Sequence, residues 1–252
     1  MEGSMMRSGV RGSIFSLLVV FGIWGYSVAQ AGDLHDAVMA GDVARVQILL
    51  AGGADVNEPD LNGSALHIAV GLDSMEIATA LIEAGADLEA EGEPARAHPL
   101  HIAAQSNQAA MTNLLLEHGA QVDARDGQGR TPLMIAAIND KLEVAKVLLN
   151  HGADPRAQDS IYGEMPIHNA CYRGGIEIVT LLLSRGVDVN SRSVLYGQTP
   201  LFYAARKNHL EVVKLLVARG ADLSITSKAG ATAMNEASDP AKELLGSLGL
   251  KE

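Results

Sequence analysis

Over most of this chain apolar residues recur at helical spacing, and glycines interrupt them at regular intervals. Val144, Val147 and Leu148, and again Val212, Leu215 and Leu216, fall three and four residues apart, which puts each set on one face of a helix. Gly152 and Gly220 follow these stripes, where glycine ends a helix by taking the left-handed conformation cheaply. A shorter apolar segment opening on Thr131-Pro132 or Thr199-Pro200 precedes each stripe. Threonine can cap the free N–H groups of a helix start, and proline at the first position gives up a donor that has no partner there. The pattern predicts pairs of short helices. Ala136-Ala137 and Ala204-Ala205 keep the first helix of each pair thin enough for close approach.

The N-terminus follows another pattern. Arg7 and Arg11 precede an apolar run of 13 residues from Ile14 to Tyr26, and Ala29-Gln30-Ala31 follows it. A spanning helix needs about 20 apolar residues. A basic start, a short apolar stretch and a small-x-small site together read as a cleaved secretory signal over residues 1–31, with no stable membrane anchor afterwards.

The helix pairs are copies of one another. A Gly-Ala-Asp phrase begins at Gly53, Gly85, Gly119, Gly152, Gly186 and Gly220, in steps of 32, 34, 33, 34 and 34 residues. Gly119 carries Gln121 in the third place, and Gly186 carries Val187 in the second. A second phrase keeps the same step: Ser64-Ala65-Leu66-His67, His98-Pro99-Leu100-His101, Thr131-Pro132-Leu133-Met134, Met165-Pro166-Ile167-His168, Thr199-Pro200-Leu201-Phe202 and Thr232-Ala233-Met234-Asn235. With these phrases at this period, residues 33 to about 250 resemble the ankyrin-repeat family. The resemblance implies an all-α repeat solenoid of helix-turn-helix units joined by β-hairpin fingers. It divides the chain into an N-terminal cap at 32–60, repeats at 61–92, 93–125, 126–158, 159–192 and 193–226, and a C-terminal cap at 227–252. His98 and Met165 stand where the family has threonine, so their units are expected to be locally looser.

Little in the sequence points to catalysis. His67, His101 and His168 share one family position, where the resemblance implies hydrogen bonds to loop backbone. Residues one repeat apart form a ladder and do not converge on a metal. His98 and His101 are three apart but lack further ligands, while His118 and His151 precede helix-ending glycines and are expected in solvent. Cys171, the only cysteine, excludes an intramolecular disulfide and stands where neighbouring repeats have alanine, as a small buried apolar residue would. No phosphate-binding loop, nucleophile elbow or zinc spacing is present. The chain reads as a non-enzyme that needs no cofactor and no metal. Asn62-Gly63-Ser64 matches a glycosylation acceptor.

Charge and aromatic content break the repetition. Residues 32–125 hold 15 acidic and three basic residues, a net of −12, whereas residues 126–252 are neutral. Glu89, Glu91 and Glu93 crowd one finger. Such a surface keeps a protein soluble, or steers a partner with a basic patch; it repels nucleic acid. Tyr162, Tyr172, Tyr196 and Tyr203, with Phe202, lie within 42 residues. Tyr162 and Tyr196 each precede a finger glycine and are 34 apart, so they should stand side by side on adjacent finger tips, beside Ile161 and Leu195. Either they bind a partner or they fold down over a neighbouring finger; Phe202 and Tyr203, at core-like positions, are expected to fold down. Tyr172 and the nearby Arg173, Arg192 and Arg206 complete the candidate surface, since tyrosine and arginine dominate binding hot spots. The expected protein is a monomeric, periplasmic, non-catalytic module that docks a partner protein through its fingers and concave face. Its alternatives are an inhibitor or immunity protein of an exported enzyme and an accessory factor that maintains one.

Overall fold

The computed structural model describes residues 30–60, 63–93 and 95–248. All but the last two residues of the expected leader, and Asn62, lie outside them. Fourteen helices in seven pairs make up the described residues. The first pair is α1 (Gln30–Met39) and α2 (Val43–Ala51); α3 (Ala65–Gly71) and α4 (Met75–Glu83) follow, then α5 (Pro99–Gln105) and α6 (Ala109–Glu117). Next come α7 (Pro132–Ile138) with α8 (Leu142–Asn150), and α9 (Pro166–Arg173) with α10 (Ile176–Ser184). The last are α11 (Pro200–Arg206) with α12 (Leu210–Ala218), and α13 (Ala233–Glu236) with α14 (Asp239–Ser247).

The first helices pack on one another in succession from α1 to α13, and the second helices form an outer layer, with α6 on α8, α8 on α10 and α10 on α12. Alanine makes the inner layer possible. Ala103-Ala104, Ala136-Ala137 and Ala204-Ala205 are wholly buried, as are Ala170 and Cys171. The apolar stripes close the core: Val144, Leu148, Val212 and Leu216 are buried, each such side chain contributing about 2 kcal/mol.

The helix starts are held in two ways. Thr131 Oγ1 accepts from the Met134 N–H at 3.4 Å, as expected, but Thr199 caps nothing. Histidine does the work from the other side. The Ser64, His98 and Met165 N–H groups donate to Nδ1 of His67, His101 and His168 at 3.1, 3.3 and 3.0 Å. This leaves the ring proton on Nε2, which donates to the next finger at Ala97 O (3.0 Å), Arg130 O (2.9 Å) and Ser191 O (3.1 Å). The units lacking threonine at 98 and 165 therefore have their first turn tied through imidazole. Burial lowers the pKa of all three rings, that of His168 to about 4.

The fingers are turns, not strand ladders. Three isolated antiparallel bridges, Asp60 to Gly63, Gly92 to Ala97 and Thr226 to Thr232, are what the described residues keep of the expected hairpins. Side chains shape these turns: Asp126 Oδ1 accepts from Gln128 N and Arg130 N, both at 2.9 Å, and its Oδ2 from Arg130 Nε at 2.8 Å. Each finger then bonds to the next through backbone alone. Gly127 N donates to Ala95 O (2.8 Å), Ser160 N to Gln128 O (3.1 Å), Leu195 N to Tyr162 O (2.9 Å) and Lys228 N to Tyr196 O (2.8 Å).

Candidate interaction surface

The finger at 159–164 is wound around one carboxylate. Asp159 Oδ1 accepts from Ile161 N (2.8 Å) and Tyr162 N (2.7 Å), and Oδ2 from Glu164 N (3.0 Å). This turn points the side chains of Ile161 and Tyr162 away from the stack. In the following unit Ser193 has the equivalent role, its Oγ accepting from Gln198 N at 3.2 Å. The two tips approach so closely that a Cβ on Gly163, whose φ is 62°, would collide with Val194. The Tyr162 and Tyr196 rings consequently lie 5.9 Å apart and 23° from parallel. They stay 41% and 46% exposed, and Ile161, Val194 and Leu195 beside them are exposed as well. The tyrosines cover one another and not the stack, while Phe202 and Tyr203 are buried.

Below the tips, on the inner face of α9 and α11, lies a cleft of about 460 Å3. Tyr162, Tyr172, Tyr196 and Tyr203 line it together with Glu164 and Arg206. Tyr203 OH donates to Glu164 Oε1 at 2.7 Å, and Asn169 Nδ2 to Oε2 at 3.0 Å. Burial raises the pKa of Glu164 above the usual carboxylate range despite these bonds, and burial with the neighbouring carboxylate also raises that of the Tyr203 phenol. Arg206 lies over the Tyr203 ring, 5.3 Å from its centroid, and 3.6 Å from Glu236. Lys207 Nζ sits 4.2 Å from the centre of the exposed Tyr172 ring, and the bond it makes there lowers the phenol's pKa.

The other candidates divide. Arg173 is exposed next to Tyr172. Arg192 braces the fingers, its Nη2 donating to Thr226 O at 2.7 Å. In the acidic finger, Glu89 Oε1 accepts from Gln121 N at 2.7 Å, and Glu91 forms a two-toothed pair with Arg96 at 2.6 and 2.7 Å, which lowers the pKa of Glu91. Glu93 is exposed. The three carboxylates thus occupy three different environments and form no common patch. Cys171 is wholly buried, and burial raises its thiol pKa. Among the described residues no group of three or more His, Cys, Asp or Glu could hold a metal ion, and no helix is long and apolar enough to cross a membrane.

Sequence reasoning missed Glu164, Asn169 and Lys207. Glu164 and Asn169 occupy positions that carry Arg130 and Ile135 one repeat earlier, and Gln198 and Tyr203 one repeat later. A column-by-column comparison would have flagged them as departures, though not their meeting.

The same repeat is found in known proteins. The family model described as "Ankyrin repeats (3 copies)" matches residues 34–126, 91–159 and 156–227. The ankyrin repeat domain of Bcl-3 superposes with a TM-score of 0.75 at 28% identity, over 85% of this chain and 97% of that one. Ankyrin repeat and SOCS box protein 11 of Danio rerio is 36% identical over 100 residues, 39% of this chain and 33% of that protein. Palmitoyltransferase Hip14 of Drosophila melanogaster is 35% identical over 98 residues, 38% of this chain, and regulatory protein NPR5 of Arabidopsis thaliana 39% identical over 116 residues, 42% of this chain. The chain spans only 15% and 22% of the length of these last two. Family match, superposition and the bonded ladder of fingers agree: the chain belongs to the ankyrin repeat proteins, whose stacked units serve as protein-interaction scaffolds.

Proposed function

We propose that this protein is an exported, non-catalytic docking module that holds a partner protein on the finger tips of residues 159–164 and 193–198. One observation carries the reading: two half-exposed tyrosines stacked at 5.9 Å on tips locked together by backbone bonds. Rigid aromatic side chains lose little entropy on binding, and the exposed apolar residues around them give a partner area to bury. The palmitoyltransferase match brings no activity with it, since it covers 15% of that enzyme, and the acid and base groups found here are engaged in turns, ladders and the cleft. Export is supported by the pattern of residues 7–31. The net charge of the N-terminal half would speed association with a basic partner at low salt.

The partner recovered by pull-down from native extract is the reagent for the test. Tyr162→Ala and Tyr196→Ala should each weaken its affinity about 30-fold, the cost of about 2 kcal/mol at a hot spot. The urea midpoint measured on the same samples should fall by less than about 1 kcal/mol equivalent. Affinity that holds while the midpoint drops would make the tyrosines structural and overturn the reading. For export, the native protein should begin at Gly32 and lack Trp24; a full-length mass refutes it.

A further inference from the structure

We infer that the cleft under the stacked tyrosines receives an arginine side chain of the docked partner, its guanidinium against the tyrosine rings and donating to Glu164. This rests on the docking reading above and gives one contact its chemistry. The Glu164 carboxylate accepts from two neutral donors, Tyr203 OH and Asn169 Nδ2, and among the described residues no Lys, Arg or His lies within ion-pair distance of it. A partly buried carboxylate normally has a cation against it. Here the position is left to a visitor. Arg206 lines the cleft but is drawn towards Glu236 at 3.6 Å and covers one tyrosine face.

The walls favour the same charge. Tyrosine rings attract cations through their negative faces, and Tyr162, Tyr196 and Tyr172 add their rings to that of Tyr203. Lys207 over Tyr172 at 4.2 Å and Arg206 over Tyr203 at 5.3 Å show the chain's own cations resting on these rings. An acidic group would instead meet Glu164, with Asp159 behind it. A planar guanidinium stacks on tyrosine and still offers N–H groups to a carboxylate, whereas an ammonium is compact and strongly hydrated, so arginine fits better than lysine. A space of about 460 Å3 admits the side chain.

The test needs no partner. The full-length protein is titrated with acetyl-Gly-Arg-Gly-amide, following the ring resonances of Tyr162 and Tyr196 by NMR. Peptides with citrulline, lysine or glutamate in place of arginine run alongside. A saturable shift with arginine, stronger than with lysine and absent with citrulline and glutamate, is expected. Glu164→Gln should weaken the arginine peptide about tenfold, the loss of one charge-assisted bond. Arg206→Gln changes an exposed side chain and should tighten binding about twofold, by removing a nearby like charge. Equal binding of arginine and citrulline, or a glutamate peptide that binds and is lost in Arg206→Gln, overturns the assignment. Lysine equal to arginine overturns the guanidinium. If the peptides fail while Tyr162→Ala still abolishes partner docking, the cleft chemistry falls and the docking surface stands. If arginine binds but Tyr162→Ala leaves the partner's affinity unchanged, the docking surface falls and the cleft chemistry stands.

Discussion

His168 shows how much one side chain does in a repeat. Its ring is wholly buried, accepts from Met165 N, donates to Ser191 O and meets the edge of Tyr203 at 5.3 Å. Burial lowers its pKa from 6.5 to about 4, so the unfolded chain takes up a proton at a pH where the folded one does not. The stability contributed by the neutral ring is therefore complete above about pH 6.5 and is lost as pH falls towards about 4, about 3 kcal/mol for this one group. His67 and His101 act in the same direction. The urea midpoint of the native protein should drop between pH 7 and pH 4.5, and His168→Gln, though less stable at pH 7, should drop by less. Parallel pH curves for the two proteins would show that the ring does not carry the dependence. The ladder position of this histidine was legible from a 67-residue recurrence of one phrase. The partners of Glu164 were not, because Tyr203 is 39 residues away and no repeated phrase links the two.

At the scale of elements, the turn joining the two helices of each pair is the feature that periodicity alone did not reveal. Gly41, Asp73, Asn107, Asp140, Gly174 and Asn208 all have positive φ, between 54° and 88°, and recur at the same steps as the Gly-Ala-Asp glycines. The column alternates among Gly, Asp and Asn, the residues that tolerate the left-handed region, so the signal is chemical rather than literal. Asn208 is exposed, with φ at 61°, which isolates the backbone contribution. Asn208→Ala should cost about 1 kcal/mol in urea unfolding and Asn208→Gly almost nothing. Equal effects of the two would mean that the turn relaxes out of the left-handed region. The helix-ending glycines were legible because every repeat keeps the same residue there. The caps were only partially legible: the sequence suggested Thr199 as a cap, and the structure gives that task to no side chain at 199, whereas His101 and His168 hold the starts that lack threonine.

Across the whole molecule, each unit touches its neighbours and little else, and its links to them run through finger backbone and imidazole. Stability of that kind is close to a sum over units and interfaces. The acidic half and the aromatic half sit at different points along this axis, and the division was plain from the sequence, where 15 carboxylates and three basic residues precede Asp126. Where individual glutamates point was not, since Glu89 and Glu91 are committed to Gln121 N and Arg96. Near-identical units also pose a problem of alignment. A partner that reads only the finger backbone would find much the same surface one unit further along and could slide between settings of nearly equal energy. At the tip position before each finger glycine the chain has Gln128, Tyr162, Tyr196 and Ala229, so two tyrosines adjoin at a single step. The stacked pair is thus a fiducial mark on a ruler: it gives a periodic scaffold one origin from which a bound protein is positioned.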